Sequence, residues 1–322
     1  MNFGSIMEKP KDSAAKPREG QIWAMAGGKG GTGKTFLLSS MGIHLAKKQN
    51  SVILVDFDLG GANLHSFFNL AKPSQTLTRF FDKTGAPLGD LAMPTGVDNI
   101  SLISGDLESI SSDNITFSQK LKLFRQMMKL HTQYILIDLG AGCHNNTLDT
   151  FLIADKMITL VIPEITAVEN MYHFIKSVLY RKLKMTLKAY GFKDTARQLW
   201  QKRESLGLTN IKEFIDYLRG QLVDLAPLLD KELAGFKVYI VVNMTRDNQD
   251  ILLGASLKSL LHKFLGVQAI YAGYVEHDDA VWRSIRERRP FMLNYLANRS
   301  SKEIEILVEN LIQNKEVQWL WS

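Results

Sequence analysis

The run Gly27-Gly28-Lys29-Gly30-Gly31-Thr32-Gly33-Lys34-Thr35 constrains this chain more than any other feature. It follows the apolar stretch Ile22-Trp23-Ala24-Met25-Ala26 and precedes the apolar-rich segment from Phe36 to Leu45. That order reads as strand, glycine-rich turn, helix. The glycines let the backbone curl so that successive N–H groups point inward at a triphosphate. The following helix sets its positive N-terminal end against the same anion. Residues Gly28 to Thr35 satisfy the phosphate-loop pattern GxxxxGK[ST]. Lys34 is then placed to reach the β- and γ-phosphates, and the Thr35 hydroxyl to ligate Mg²⁺. Lys29 lies inside the loop, where the pattern fixes nothing. A cation there can stay on its own site or reach a nucleotide held by another subunit. A glycine-rich hairpin with incidental lysines would not explain the flanking strand and helix, so the run marks a nucleotide-binding chain.

The rest of the composition narrows the setting. At 322 residues, with 45% hydrophobic and 22% charged residues, the chain can bury a sizeable core. The lone cysteine, Cys143, excludes a disulfide framework and any four-cysteine metal site within one chain. With no signal-peptide pattern, a reducing cytoplasm is expected. The longest apolar runs, such as Met157 to Pro163, are strand-length, and no transmembrane helix is expected. A net charge of +6 favours weak attraction to anionic lipid or nucleic acid, and equally fits a soluble basic protein.

Strand patterns recur at Ile22–Ala26, Val52–Asp56, Ile100–Ile103, Tyr134–Asp138, Met157–Ile162, Val238–Asn243 and Ala269–Val275. Helical patterns separate most of them, at Thr35–Gln49, Ser118–Leu130 and Ala167–Leu183. This alternation predicts an α/β fold with a mostly parallel, doubly wound sheet covered on both faces. Residues 1–19 read as a flexible leader, 20–312 as a single domain and 313–322 as a C-terminal tail. No strand pattern occurs between Tyr180 and Phe236. An α-helical insertion is predicted over about 181–236, packed against the sheet edge, with helices at Ala189–Leu206 and Asn210–Leu225. Its first part is basic, from Arg181 and Lys182 to Lys202 and Arg203. A solvated helix face is the default for such charges, with a lipid, nucleic-acid or partner surface as the alternative.

Carboxylates complete the site. Val52-Ile53-Leu54-Val55 leads into Asp56-Phe57-Asp58, which places two acids at the carboxyl end of a buried strand. Either carboxylate can orient an attacking water or hold the hydration shell of Mg²⁺. Tyr134-Ile135-Leu136-Ile137-Asp138 repeats the pattern, and Asp138 is the expected Mg²⁺-side partner of a phosphate loop. Asn243 ends another apolar strand; its amide can pair with the edge of adenine or serve as a structural cap. His65, His131, His144 and His277 show no metal-ligand spacing with Cys143.

These residues resemble the deviant-Walker-A ATPases of the MinD/ParA type, a SIMIBI-type group of P-loop NTPases. The match runs through residues 27–35, through Val-Asp-Phe-Asp-Leu-Gly-Gly-Ala-Asn-Leu at 55–64 and through Ile-Asp-Leu-Gly-Ala-Gly at 137–142. It continues in Val-Val-Asn at 241–243 and Gly-Tyr-Val-Glu-His-Asp at 273–278, covering about 20–180 and 236–312. Asp-Phe-Asp-Leu-Gly-Gly-Ala-Asn looks most like the FlhG (FleN) flagellar-regulator branch, with MinD next. The resemblance implies an ATP-dependent homodimer in which Lys29 contacts the partner's nucleotide. It implies Gly28, Gly30, Gly31, Thr32, Gly33, Lys34 and Thr35 on the phosphates, and Asp58 as organiser of the attacking water. Thr35, Asp56 and Asp138 would lie at Mg²⁺, Asn243 would recognise adenine, and Glu276, His277 and Asp278 would line the base. The implied function is a slow ATPase switch for spatial positioning or assembly, cytoplasmic or peripheral at the inner face of the cell membrane, with a protein partner. A DNA-partition ATPase using the basic insertion is the alternative reading, and an iron–sulfur carrier is disfavoured by the single cysteine.

The chain departs from the family in four places. Phe36 replaces a frequent Thr or Ser, and Leu139-Gly140-Ala141-Gly142 lacks a frequent Pro. The insertion is atypical, and Trp319 and Trp321 end the chain without a clear basic amphipathic helix.

Overall fold

A computed structural model describes residues 20–59, 61–82, 85–105 and 115–317. The leader assigned to 1–19, Gly60, Trp319 and Trp321 lie outside the described residues. The strands are β1 (Gln21–Ala26), β2 (Val52–Phe57), β3 (Met93–Pro94), β4 (Ile100–Ile103), β5 (Tyr134–Leu139), β6 (Lys156–Val161), β7 (Lys237–Thr245) and β8 (Gln268–Glu276). They form one sheet in the order β3-β4-β2-β5-β1-β6-β7-β8. Neighbours pair in parallel except β3 with β4 at one edge. All seven strands expected from sequence are present, because runs buried on both faces must be continuously apolar. The two-residue β3 was not foreseen. It is too short for a period-two signal, and its Pro94 suits an edge.

The helices are α1 (Lys34–Lys47), α2 (Leu77–Phe81), α3 (Phe117–Met127), α4 (Asn145–Leu152), α5 (Ile165–Ala189) and α6 (Lys193–Gln201). They continue with α7 (Ile211–Gln221), α8 (Ala226–Ala234), α9 (Asn248–Leu265), α10 (Asp279–Arg286), α11 (Phe291–Asn294) and α12 (Arg299–Gln313). Side-chain alternation divides the core between two faces. Trp23, Met25, Val52, Leu54 and Leu136 pack with α1 and α12. Ile22, Ala24, Val55, Phe57, Ile135 and Ile137 pack with α3, α4, α5 and α9. The same alternation turns Asp56 and Asp138 toward the α1 face. Phe36, where the family often has a hydroxyl, packs edge-to-face on Phe291 with ring centroids 5.4 Å apart.

The insertion differs from expectation in two respects. Helix α5 runs unbroken through residue 181 to Ala189, so no boundary falls at 181 and no new helix begins at Ala189. The break comes at Gly191, with φ +83°. Helix α7 does begin where expected: Asn210 Oδ1 accepts from Glu213 N at 3.0 Å while the Glu213 carboxylate accepts from Asn210 N at 3.3 Å. Ile211, Phe214, Ile215 and Leu218 then pack in the layer of α5 and α9, so the insertion thickens a helical cover rather than lining the sheet edge. The tail starts by docking, as Val317 N donates to Tyr271 O at 2.8 Å.

The basic run is also less solvated than its sequence suggests. Lys182 donates to Glu232 at 3.1 Å, tying α5 to α8. Arg181 forks onto Asp149 with Nε and Nη2 at 2.8 and 3.0 Å, and Lys120 Nζ meets the same carboxylate at 2.6 Å. Asp149 is fully buried, so two cations on three-element contact depend on one carboxylate. Asp149→Ala is expected to destabilise the fold by about 3–5 kcal/mol in urea denaturation, because it strands both cations. Adding Lys120→Met and Arg181→Met to that variant should recover much of the loss.

Candidate functional site

Parallel strands end on the same edge, so β1, β2, β5, β7 and β8 deliver their last residues to one place. From Ala26 the chain turns through the glycine-rich loop into α1. Gly31 and Gly33 hold φ values of +78° and +90°, a left-handed conformation that strains L side chains. Gly33 caps α1 without a side-chain hydrogen bond, leaving the first helical N–H groups to an external acceptor. Gly28 meets the start of α5 so closely that a Cβ there would stand 2.2 Å from the Asn170 carbonyl carbon. The loop therefore has a fixed shape set by its neighbours.

Its two lysines are treated oppositely. Lys34 is only 9% exposed, folded into the loop. Lys29 points outward, where Nζ pairs with Glu164 Oε2 at 2.8 Å and approaches Thr166 Oγ1 at 3.5 Å. Both members of that pair remain exposed, at 42% and 53%. Thr32 is buried, and its carbonyl accepts from Asn243 Nδ2 at 2.8 Å. Asn243, at the end of β7, thus clamps the loop, and this contact leaves its amide oxygen on the nucleotide-site side of the sheet for the adenine role that the resemblance implies.

Beneath the loop, the Thr35 hydroxyl donates to Asp138 Oδ2 at 2.6 Å. Asp138 Oδ1 is buried with no hydrogen-bond partner among the described residues. Burial pushes the Asp138 carboxyl up to about 7; the Thr35 hydroxyl and Lys34 oppose this rise, and the Asp56 carboxylate adds to it. Asp56 sits directly across from Asp138 in the β2–β5 register. Its own carboxyl is pushed up to about 6 by burial, against hydrogen bonds from Leu64 N at 2.9 Å and Asp58 N at 3.2 Å. Asp56 consequently orders the turn that carries Asp58, while Asp138 keeps an oxygen for another ligand. Asp58 is half-buried just past β2, with its carboxylate against Gly140. The Gly140 position needs a small residue there, which fits a segment without the family's Pro.

Glu276 ends β8, and His277 and Asp278 follow it at the same edge, where each makes local contacts. Glu276 pairs with Arg299 at 2.6 Å, and its N–H donates to Glu303 Oε2 at 2.8 Å. His277 N donates to Thr245 O at 2.9 Å. Asp278 caps α10 through Ala280 N at 2.7 Å and accepts from Ser300 Oγ at 3.2 Å. Three site residues escaped the sequence reading: Glu164, Asn170 and Arg299. Glu164 was within reach, since it follows Ile162-Pro163 at the end of β6, the strand-end position that revealed Asp56 and Asp138.

A divalent cation suits this arrangement, because the orphaned Asp138 oxygen and the Thr35 hydroxyl are hard oxygen donors beneath a loop built for phosphate. In the nucleotide-free protein the raised carboxyl pKa values mean that the folded state holds its protons more tightly than the unfolded chain. This contribution favours folding at low pH and is lost as pH rises from about 4 to about 7. Asp138→Asn should therefore raise the thermal midpoint of the nucleotide-free protein near pH 8 and flatten its pH dependence. The same change should weaken Mg²⁺-dependent nucleotide binding by about tenfold or more, read by calorimetry.

Comparison with known proteins agrees with this geometry. Residues 23–291 match the model of the CobQ/CobB/MinD/ParA nucleotide binding domain. An uncharacterized ATP-binding protein of Methanocaldococcus jannaschii is 29% identical over 157 residues, which is 46% of this chain and 54% of that protein. Antiactivator FleN of Pseudomonas aeruginosa is 21% identical over 272 residues, 84% of this chain and 78% of that one. The chain thus spans about half the length of the Methanocaldococcus relative, and more of FleN. The septum site-determining protein MinD of Pyrococcus horikoshii, solved with Mg-ADP, shares the fold with a TM-score of 0.60 at 19% identity, over 90% of this chain and 95% of that one. With the family match covering residues 23–291 and the phosphate loop formed at the edge of a parallel sheet, the chain belongs to the CobQ/CobB/MinD/ParA nucleotide-binding family.

Proposed function

We propose that this chain is an ATP-dependent, dimerising switch whose slow hydrolysis resets it, controlling spatial positioning or assembly of the flagellar-placement or division-site kind. The observation that carries this reading is the division of labour between the two loop lysines. Lys34 is buried in its own loop, whereas Lys29 is outward, exposed and held by a single exposed carboxylate. An outward cation on a phosphate loop can reach a phosphate held by a second copy, the role that the family resemblance implies for Lys29. The kinship with FleN and MinD points the same way.

In this mechanism the loop N–H groups and Lys34 bind the phosphates of ATP. Thr35 and Asp138 would hold Mg²⁺, which when bound offsets negative charge on the phosphate oxygens. Asp58, fixed by the turn around Asp56, orients the attacking water. Lys29 exchanges Glu164 for the partner's nucleotide, so closure of the dimer depends on the nucleotide. The DNA-partition alternative keeps a smaller basic surface than its sequence suggested, because Arg181, Lys182 and Arg203 are engaged in ion pairs or on Trp200 while Lys184, Lys188, Arg197 and Lys202 stay exposed.

Lys34→Ala is expected to lower nucleotide affinity by at least about a hundredfold, since it removes a charge-assisted contact from a buried site. Asp58→Ala should retain that affinity and give a dimer by light scattering with ATP–Mg²⁺ but a monomer with ADP. Lys29→Ala should bind nucleotide and stay monomeric. Equal loss of affinity in the Lys34 and Asp58 variants, or an Asp58→Ala monomer with both nucleotides, would overturn the reading.

A further inference from the structure

Between α5, the start of α4 and the insertion lies a cleft of about 420 Å³ that the nucleotide site does not use. That volume is within the range of small-molecule sites. Its wall on α5 combines the stripe Lys176, Tyr180 and Lys184, at four-residue spacing on one helix face, with the adjoining His173, Ser177 and Arg181. The two lysines are eight residues apart, about 12 Å along the axis at the rise of an α-helix. Trp200, from α6, also lines the cleft and packs on Tyr180 with centroids 4.7 Å apart. Phe214 backs Trp200 at 4.8 Å, and Arg203 lies over it at 4.9 Å, so the aromatic surface is held in place.

The charge of this cleft is unbalanced. Lys176, Arg181 and Lys184 line it, and no carboxylate does among the described residues. Arg181 is paired with Asp149, but Asp149 also takes Lys120, so that trio keeps one net positive charge. The cations thus set a positive potential between low-dielectric walls. Lysine ammonium groups bind phosphate as point charges, and a rigid aromatic surface binds a flat ring.

We infer that this cleft is a second anion site, separate from the phosphate loop, which takes a small phosphorylated molecule carrying a flat ring. Cys143 and Asn145 also line it, on the segment that leads from Asp138 at the end of β5 into α4. An occupant therefore rests on the chain that leaves the nucleotide site.

The test uses the full chain saturated with ADP–Mg²⁺, so that Lys34 is covered, with pyridoxal phosphate as the probe and labelling of the outward Lys29 scored separately. The probe's aldehyde condenses with a lysine amine, releasing water, and borohydride reduces the imine to a stable adduct that peptide mass spectrometry locates. Lys176 or Lys184 should be labelled at least about tenfold faster than the exposed Lys129 and Lys302. Pyridoxine phosphate, which lacks the aldehyde, should protect them, and inorganic phosphate at equal concentration should protect far less. Calorimetry with pyridoxine phosphate should show at least about tenfold weaker binding to the Lys176→Gln/Lys184→Gln protein, whose ADP affinity is unchanged. Uniform lysine labelling, equal protection by inorganic phosphate, or binding indifferent to the two substitutions would each overturn the proposal.

Discussion

The site depends on a carboxylate taken out of water. Asp138 sits at the end of β5 with one oxygen held by Thr35 and the other without a partner among the described residues. Removing a charged group from water in this way costs on the order of several kcal/mol. The arrangement persists because the sheet fixes it from both sides: Asp138 is in register with Met25 on β1 and Asp56 on β2. A cation beneath a phosphate loop would satisfy the orphaned oxygen, so the cost of burying Asp138 and the affinity of the site have the same origin.

The loop above is shaped before any ligand arrives. Asn243 from β7 clamps Thr32, the start of α5 closes on Gly28, and Asp138 from β5 holds Thr35. Three elements distant in the chain thereby determine one short turn, and a preformed turn loses little entropy on binding. Lys29 is the exception. Its exposed pair with Glu164 is of the kind worth about 0–1 kcal/mol, so exchanging that carboxylate for a phosphate on another molecule meets almost no resistance. A rigid inner lysine and a loosely held outer one suit the proposed switch, in which binding precedes assembly.

Much of this was legible in the chain itself. Strands buried on both faces leave continuous apolar runs, which is why β1, β2 and β4 to β8 could be read directly and the Met93–Pro94 edge could not. The loop was legible because glycine adopts the positive φ found at Gly31 and Gly33 without the strain that L side chains meet there. The insertion was legible as helical, and α7 began at its capping residue Asn210, but the unbroken span of α5 through Ala189 was hidden by a change from apolar to basic residues. Those basic residues looked solvated because the sequence does not show that Asp149 lies buried beside Arg181.

The sequence by itself determined the sheet, the phosphate loop and the acids at the strand ends, since each is encoded by neighbours within one element. Only the tertiary structure decided the tasks of the individual side chains. Asn243 holds a loop carbonyl, Glu276 pairs with Arg299, and Asp278 caps α10, contacts that the sequence pattern did not show. Lys29 faces outward, and Lys176, Tyr180, Lys184 and Trp200 meet in one cleft. Hydrogen bonds and ion pairs act over about 3 Å, and residues brought that close by folding, such as Thr32 and Asn243, leave no periodic trace in the chain.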